Sequence, residues 1–283
     1  MSLLEPKPSM GVLKLYDSEK NNRFRLHRYP PAEDLRFFIK HFWIVSWDLT
    51  DQEPFWQHVV PNPCVNLVIE HGKSGIFGPA KQKFSYQLQG IGCVFGVKFK
   101  PGGFYPFLQR SVAELSKQPL NISDVFAVDA CALEQAILTE TEEEKMVELA
   151  SAFIRHKLPK QDATILQIDR VIDRIIHNHE ITKVDQLCDA LAINKRKLQR
   201  LFEQYVGVSP KWVIKLYRLQ NAAAMIERDH RPDLLQLSLA LGYYDQSHFN
   251  KDFKMIIGKT PLEYARPTVP GQSTPAPQPQ TER

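Results

Sequence analysis

The chain is poor in the patterns that would place it in several large protein classes. It has four cysteines in 283 residues, Cys64, Cys93, Cys131 and Cys188, and no two share a CxxC spacing. That excludes a disulfide scaffold and the common zinc-finger layouts, and predicts reduced, mostly buried thiols of a cytosolic protein. Long apolar runs are also missing. Stretches such as FWIVSW at 42–47 fall far short of the roughly 20 residues that span a bilayer, and no basic-then-apolar signal opens the chain. The reading is a cytoplasmic protein with no membrane partner. The motifs of common enzymes are absent as well. There is no Gly-x-Ser-x-Gly, no glycine-rich phosphate loop, no tight cluster of carboxylates or histidines, and no cysteine beside a basic activating motif. His41, His58 and His71 lack the close spacing of a metal site. No catalytic residue, cofactor or metal is expected.

What is present suits two soluble domains. The length exceeds what one core usually fills, and 43% apolar with 24% charged residues is ordinary globular composition. The formal charge of +4 is modest, but its location is informative. Residues 160–266 hold 17 Lys and Arg against 13 Asp and Glu, so the whole excess sits there and the remainder is neutral at 19 against 19. A basic C-terminal part suits a polyanionic partner.

Residues 1–10 read as ragged, and from about 12 to 110 the text reads as strands. In IGCVFGVKFK, 91–100, Ile91, Cys93, Phe95, Val97 and Phe99 alternate with Gly92, Val94, Gly96 and Lys98, which predicts a strand with one buried face. HFWIVSWDL (41–49) and CVNLVIE (64–70) are further strands, and PAEDLRFFIK (31–40) a helix. Pro61-Asn62-Pro63 and Pro101-Gly102-Gly103 are turns. Such short, punctuated strands predict a β-rich barrel or sandwich over 1–110. From Ser111 helical periodicity takes over, with one helix over 133–158. Residues 111–160 thus form a helical connector, open to packing on the first domain or pairing with a second chain. Residues 161–266 are helical throughout, after a linker at Leu158-Pro159-Lys160-Gln161. The tail 267–283, rich in Pro, Gln, Thr and Ser, is expected to be disordered.

The helical region contains one pattern twice. In KVDQLCDALAINKRKLQRLFEQYVGVSP, 183–210, Val184, Leu187, Cys188 and Leu191 form the apolar face of a first helix. After a break at Ala192-Ile193, Asn194 caps a second helix. Its Leu198, Leu201, Phe202 and Tyr205 face inward, and Lys195, Arg196, Gln199 and Arg200 face out. About fifty residues on, Leu234, Leu237, Ala240 and Leu241 make a short apolar helix. Gly242 supplies the left-handed turn and Asp245 caps a helix with Phe249, Phe253 and Ile256 inward. Gly-x-Ser-Pro at 207–210 is echoed by Gly-x-Thr-Pro at 258–261, and a long helix over about 209–227 joins the copies. Each copy is a helix-turn-helix.

GYYDQSHFNKDFKMIIGKTPLEY resembles the signature of the AraC/XylS family of bacterial transcription regulators, and LQRLFEQYVGVSPKWVIKLYRLQNA resembles that family's first unit and linker helix. The likeness covers about 163–266. Ala192 departs from it, standing where the family carries glycine. The resemblance implies that each outward helix enters a major groove of promoter or operator DNA. Residue chemistry then nominates Arg196, Gln199, Arg200, Gln246, Ser247, His248, Asn250 and Lys251 for base edges, and Lys195, Lys211 and Lys254 for phosphates. It also implies an N-terminal sensor, often a cupin-like barrel, a small-molecule effector, a homodimer, and contact with RNA polymerase.

HVVPNPCVNLVIE and GVKFKPGGFYPFL resemble a sensor-type domain found on such regulators. Trp43, Trp47, Trp56, Phe95, Phe99 and Phe104 either line an apolar pocket or fill the core; core is the default. Lys98 and Arg110 either hold an anionic effector or are surface charges; surface is the default. The expected function is sequence-specific DNA binding with transcriptional control by a small molecule. The alternatives are an enzyme or alkyl-transfer protein localised by a DNA-binding module, and a scaffold whose basic helices meet acidic proteins.

Overall fold

The computed structural model describes residues 23–116, 118–228 and 233–266. The ragged start, the first part of the strand region and the tail over 267–283 lie outside the described residues. The N-terminal region is β-rich and the C-terminal region helical. Seven strands are described: β1 (Arg25–Tyr29), β2 (Ile39–Leu49), β3 (Phe55–Val59), β4 (Asn66–Ile69), β5 (Gly75–Phe77), β6 (Phe84–Leu88) and β7 (Gly90–Phe99). They form a five-stranded sheet in the order β1-β2-β7-β4-β5 and a separate hairpin sheet, β3-β6. The ladders between them are antiparallel. The two sheets are not closed into a barrel; they stand as an open sandwich.

Two expectations are corrected here. Residues 31–40 form turns and then the start of β2, not a helix. Leu35 and Arg36 both donate to the Ala32 carbonyl, but Phe38 and Ile39 are each 1% exposed. Burying those two in the sheet core outweighs extending one marginal turn, whose nucleation is costly. Strand β7 has both faces covered. Phe95, Val97 and Phe99 fill the main core, Ile91 at the strand's start is 75% exposed instead of buried as expected, and Val94 and Lys98 on the other face are also buried. Lys98 is therefore not a surface charge.

The main core lies between the large sheet and the connector helices. Phe42, Phe95, Phe99 and Phe104 are fully buried there. Short helix α1 (Tyr105–Leu108) precedes the connector, which holds α2 (Ile122–Phe126), α3 (Ala130–Leu138) and α4 (Glu143–His156). The single helix expected over 133–158 is thus two. Glu140 Oε1 accepts from the backbone N–H groups of Thr141 and Glu142 at 2.8 and 3.1 Å. That side chain offers the backbone an alternative to the helix ladder. Glu143 and Glu144 then sit in the first turn of α4, where the helix dipole favours anions. Ile137, Met146, Val147, Ala150 and Ile154 pack into the sheet core, so this apolar stripe covers its own domain.

The C-terminal region comprises α5 (Ala163–His177), α6 (Val184–Leu191), α7 (Lys195–Leu201), α8 (Pro210–Arg228), α9 (Leu234–Ala240), α10 (Gln246–Ile257) and α11 (Pro261–Ala265). Helix α7 continues into one π-helical turn, Phe202–Val206. Two cores flank α8. One gathers Leu187, Leu198, Phe202 and Val213; the other gathers Leu219, Phe249, Phe253 and Ile256. Each large side chain fully buried in this way contributes about 1.5–3 kcal/mol. Among the described residues no helix is long and apolar enough to cross a membrane.

Candidate nucleic-acid interface and a buried cavity

Each short second helix is fixed by a cap and a pair of core side chains. Asn194 Oδ1 accepts from the N–H groups of Arg196 and Lys197 at 2.9 and 3.3 Å, and Leu198 is fully buried beneath α7. Asp245 Oδ1 accepts from His248 N at 2.7 Å. Phe249 and Phe253, four apart, pack edge to face at 5.6 Å on the buried side of α10. The turn before α7 forms despite its alanine. Ala192 has φ 48° and ψ 43°, a left-handed conformation costing an L-residue about 1–2 kcal/mol. Gly242 takes the corresponding role before α10 at φ 71°.

The residues nominated for DNA contact lie largely on the outside. Lys195, Arg196, Gln199 and Arg200 are exposed on α7, and Lys197 on the same KRK run is exposed as well. Lys195 also pairs with Asp185 at 2.7 Å. On α10, Ser247, His248, Lys251 and Lys254 are exposed and Gln246 is half-buried; Lys211 is exposed at the start of α8. Asn250 is half-buried, and its Oδ1 is buried without a hydrogen-bond partner. His248 leans on the protein: its ring meets Tyr243 edge to face at 5.4 Å, and Nε2 lies 3.7 Å from Asp252.

Sequence reading missed a cluster behind α10. Asp252 accepts from Lys215 Nζ at 3.0 Å and from the Tyr243 hydroxyl at 3.2 Å. The Arg218 guanidinium lies 4.9 Å over the Tyr243 ring. Burial lowers the pKa of Arg218, and burial together with the Asp252 charge raises that of Tyr243. This cluster ties the linker helix α8 to the second turn. Tyr244 beside it is 94% exposed. The doublet of tyrosines after Gly242 was the available signal.

The second feature is a cavity of about 510 Å³ between the two sheets. Leu26, Trp43, Val45 and Trp47 line it from the large sheet, and Val59, Phe84, Tyr86 and Leu88 from the hairpin. A Cβ on Gly96 would come within 2.0 Å of the Trp43 ring, and one on Gly92 within 2.1 Å of Trp47. The two glycines of β7 let two indoles lie flat on the strand. Of the aromatics named from sequence, Trp43 and Trp47 line the cavity, whereas Phe95, Phe99 and Phe104 belong to the main core. Arg110 is half exposed and pairs with Glu114.

At one end of the cavity lie Arg28, His41 and Lys98, which are 3%, 1% and 6% exposed. Burial lowers the pKa of Lys98 to about 8. Burial, then the charges of Lys98, Lys40 and Arg28, lowers that of His41 to about 2, so the ring is neutral. The same end abuts the helical region. The Pro61 carbonyl accepts from Gln220 Nε2 of α8 at 3.4 Å, and Val60 is buried in the cluster of Leu216 and Leu219. A separate contact joins α1 to the first unit, where Tyr105 stacks on Tyr205 at 3.9 Å and its hydroxyl accepts from Gln204. Among the described residues no group of three or more His, Cys, Asp or Glu side chains could hold a metal.

Residues 187–267 match a family model described as a helix-turn-helix domain. The C-terminal domain is an AraC-type helix-turn-helix domain. Residues 27–121 match a domain of unknown function, DUF6597. Over 168 residues the chain is 29% identical to the HTH-type transcriptional regulator MtrA of Neisseria gonorrhoeae, covering 57% of this chain and 53% of that one. Over 101 residues it is 32% identical to the F1 operon positive regulatory protein of Yersinia pestis, covering 35% and 33%. The chain thus spans about half the length of the first of these relatives and a third of the second. Both are transcription regulators and not enzymes. Similar solved structures include the xylose-binding transcription activator XylR, at 24% identity, TM-score 0.30, and 38% and 27% coverage. ToxT from Vibrio cholerae is another, at 13% identity, TM-score 0.35, and 86% and 96% coverage.

Proposed function

We propose that the protein is a sequence-specific regulator of transcription whose two helix-turn-helix units read neighbouring major grooves of one duplex. The observation that carries this reading is the pairing of two capped, outward-facing helices, α7 and α10, on either side of one rigid helix. Helix α8 has 19 residues, which at about 1.5 Å each span roughly 28 Å. One turn of DNA is about 34 Å, so the two readers fall on one face about ten base pairs apart. Arg196, Gln199, Arg200, Gln246, Ser247, His248, Asn250 and Lys251 are the base-edge readers in this scheme. Lys195, Lys211 and Lys254, with Lys197, hold phosphates.

Control comes from a small molecule in the N-terminal cavity. Its wall at Pro61 touches α8, and the adjoining Val60 packs against α8, so a ligand that favours one placement of that wall biases the readers. Homodimerisation and RNA polymerase contact, in the cytoplasm, complete the scheme. The test is selection of bound sites from random duplexes with full-length protein at fixed salt. Two enriched boxes about one turn apart are expected. Salt-sensitive bulk binding without an enriched motif, both for the full chain and for residues 160–266, sinks the reading.

A further inference from the structure

We propose that the cavity between the two sheets takes a hydrophobic anion, such as a medium-chain carboxylate, with its head group at the Arg28–His41–Lys98 end. The inference deepens the effector reading above and rests on it only for the biological consequence. Its grounds are the layout of the sheet. His41 pairs across β2-β7 with Lys98, and Lys98 pairs across β7-β4 with Asn66. Arg28 pairs with Trp43 in the next row. Beyond these rows the cavity is lined by Leu26, Val45, Val94 and Trp47. One end is thus cationic and the body apolar.

Two donors at the cationic end await a partner. His41 is 1% exposed, and its Nδ1 has no hydrogen-bond partner among the described residues. The Trp43 Nε1 is buried and unpartnered too. Buried polar groups are normally satisfied, and a neutral imidazole can donate from Nδ1. A carboxylate is an acceptor only, with several lone pairs, and it also meets the charges of Arg28 and Lys98 in surroundings of low polarity, where pairing is strong. The opposite charge in the lining, Glu70, lies two residues beyond Val68 on β4 and accepts from Lys73 Nζ at 3.2 Å and from the Tyr86 hydroxyl. That carboxylate repels an anion from its own end and so sets the ligand's direction. A volume of about 510 Å³ lies within the usual range of small-ligand sites, roughly 300–1,000 Å³.

The experiment titrates full-length protein with decanoate, 1-decanol and decyltrimethylammonium below their micelle concentrations. Tryptophan fluorescence reports occupancy, since Trp43 and Trp47 line the site, and calorimetry gives the affinity. Decanoate is expected to bind at least about tenfold more tightly than decanol, and the cation more weakly than both. Lys98→Met should bring decanoate close to decanol and leave decanol within about twofold. Equal binding of acid and alcohol, preference for the cation, or no binding of any probe overturns the inference. Should Lys98→Met fail to fold, the three head groups on the wild-type chain decide alone. Operator affinity is measured alongside. If decanoate binds as expected but no probe alters DNA binding, the anion site stands and effector control falls. If decanol alters DNA binding while decanoate does not bind, control stands and the anion site falls.

Discussion

Removing one imidazole should change how the protein responds to acid. His41 is buried and neutral, with its pKa lowered from 6.5 to about 2, chiefly by burial and then by Lys98, Lys40 and Arg28. Among the described residues the charged groups that act on it are those cations from β1, β2 and β7. In the unfolded chain the same imidazole takes up a proton below about pH 6.5. The unfolded state therefore binds more protons than the native state between the two values. A base with a depressed native pKa contributes stability that is present above the unfolded pKa and is lost as pH falls below it. The slope approaches about 1.4 kcal/mol per pH unit, so the loss from pH 6.5 to pH 4 is about 3 kcal/mol. That is a large part of the roughly 5–15 kcal/mol that holds a domain together. The assay is urea unfolding of wild type and His41→Gln at about pH 7, 5.5 and 4, followed by the cavity tryptophans. Carboxylates and His58, whose pKa burial lowers to about 4, titrate in both proteins and cancel in the comparison. His41→Gln should show a shallower decline by about 2–3 kcal/mol over that range. Parallel pH profiles would refute the claim that His41 is held neutral.

The other predictions concern packing and recognition. Gly96→Ala should lower stability by several kcal/mol or dislodge the Trp43 ring, because the new methyl meets the indole at 2.0 Å; the tryptophan emission and the melting temperature would both shift, and an unchanged protein would contradict the packing. Phe253→Ala removes a side chain with no exposure and should cost about 3–5 kcal/mol, read by thermal unfolding of the C-terminal domain. Arg200→Ala should weaken binding to the selected operator by about 1–3 kcal/mol and relax one base position. Lys254→Ala should weaken all sequences alike and reduce the salt slope by about one; identical behaviour of the two variants would collapse the distinction between base and phosphate contacts.

The helical half was far more legible in the sequence than the strand half. Leu198 with Phe202, and Phe249 with Phe253, repeat at helical spacing, and Asn194, Asp245 and Gly242 mark starts and turns by local chemistry alone. The departure at Ala192 showed only against the family resemblance, which implies glycine there. The cavity was not. Its residues come from all seven described strands, and only the ladder brings Arg28, His41 and Lys98 to one end. Alternation in 91–100 suggested one buried face because glycines and a lysine occupied the other. Gly92 and Gly96 did carry a signal, since glycine inside a strand marks a close approach, here of two indoles. The helix misread over 31–40 had a fair local pattern that lost to the sheet's demand for Phe38 and Ile39. The break at 139–142 was hidden because Glu and Thr fit a helical pattern, whereas the Glu140 carboxylate accepts from the backbone N–H groups of Thr141 and Glu142.

The most direct test of the account is a hydroxyl-radical footprint of full-length protein on its selected operator. Two helices held by α8 predict two protected windows on one face of the duplex, centred about ten base pairs apart. Protection of a single groove, unchanged when α10 carries Gln246→Ala and Lys251→Ala, would contradict it.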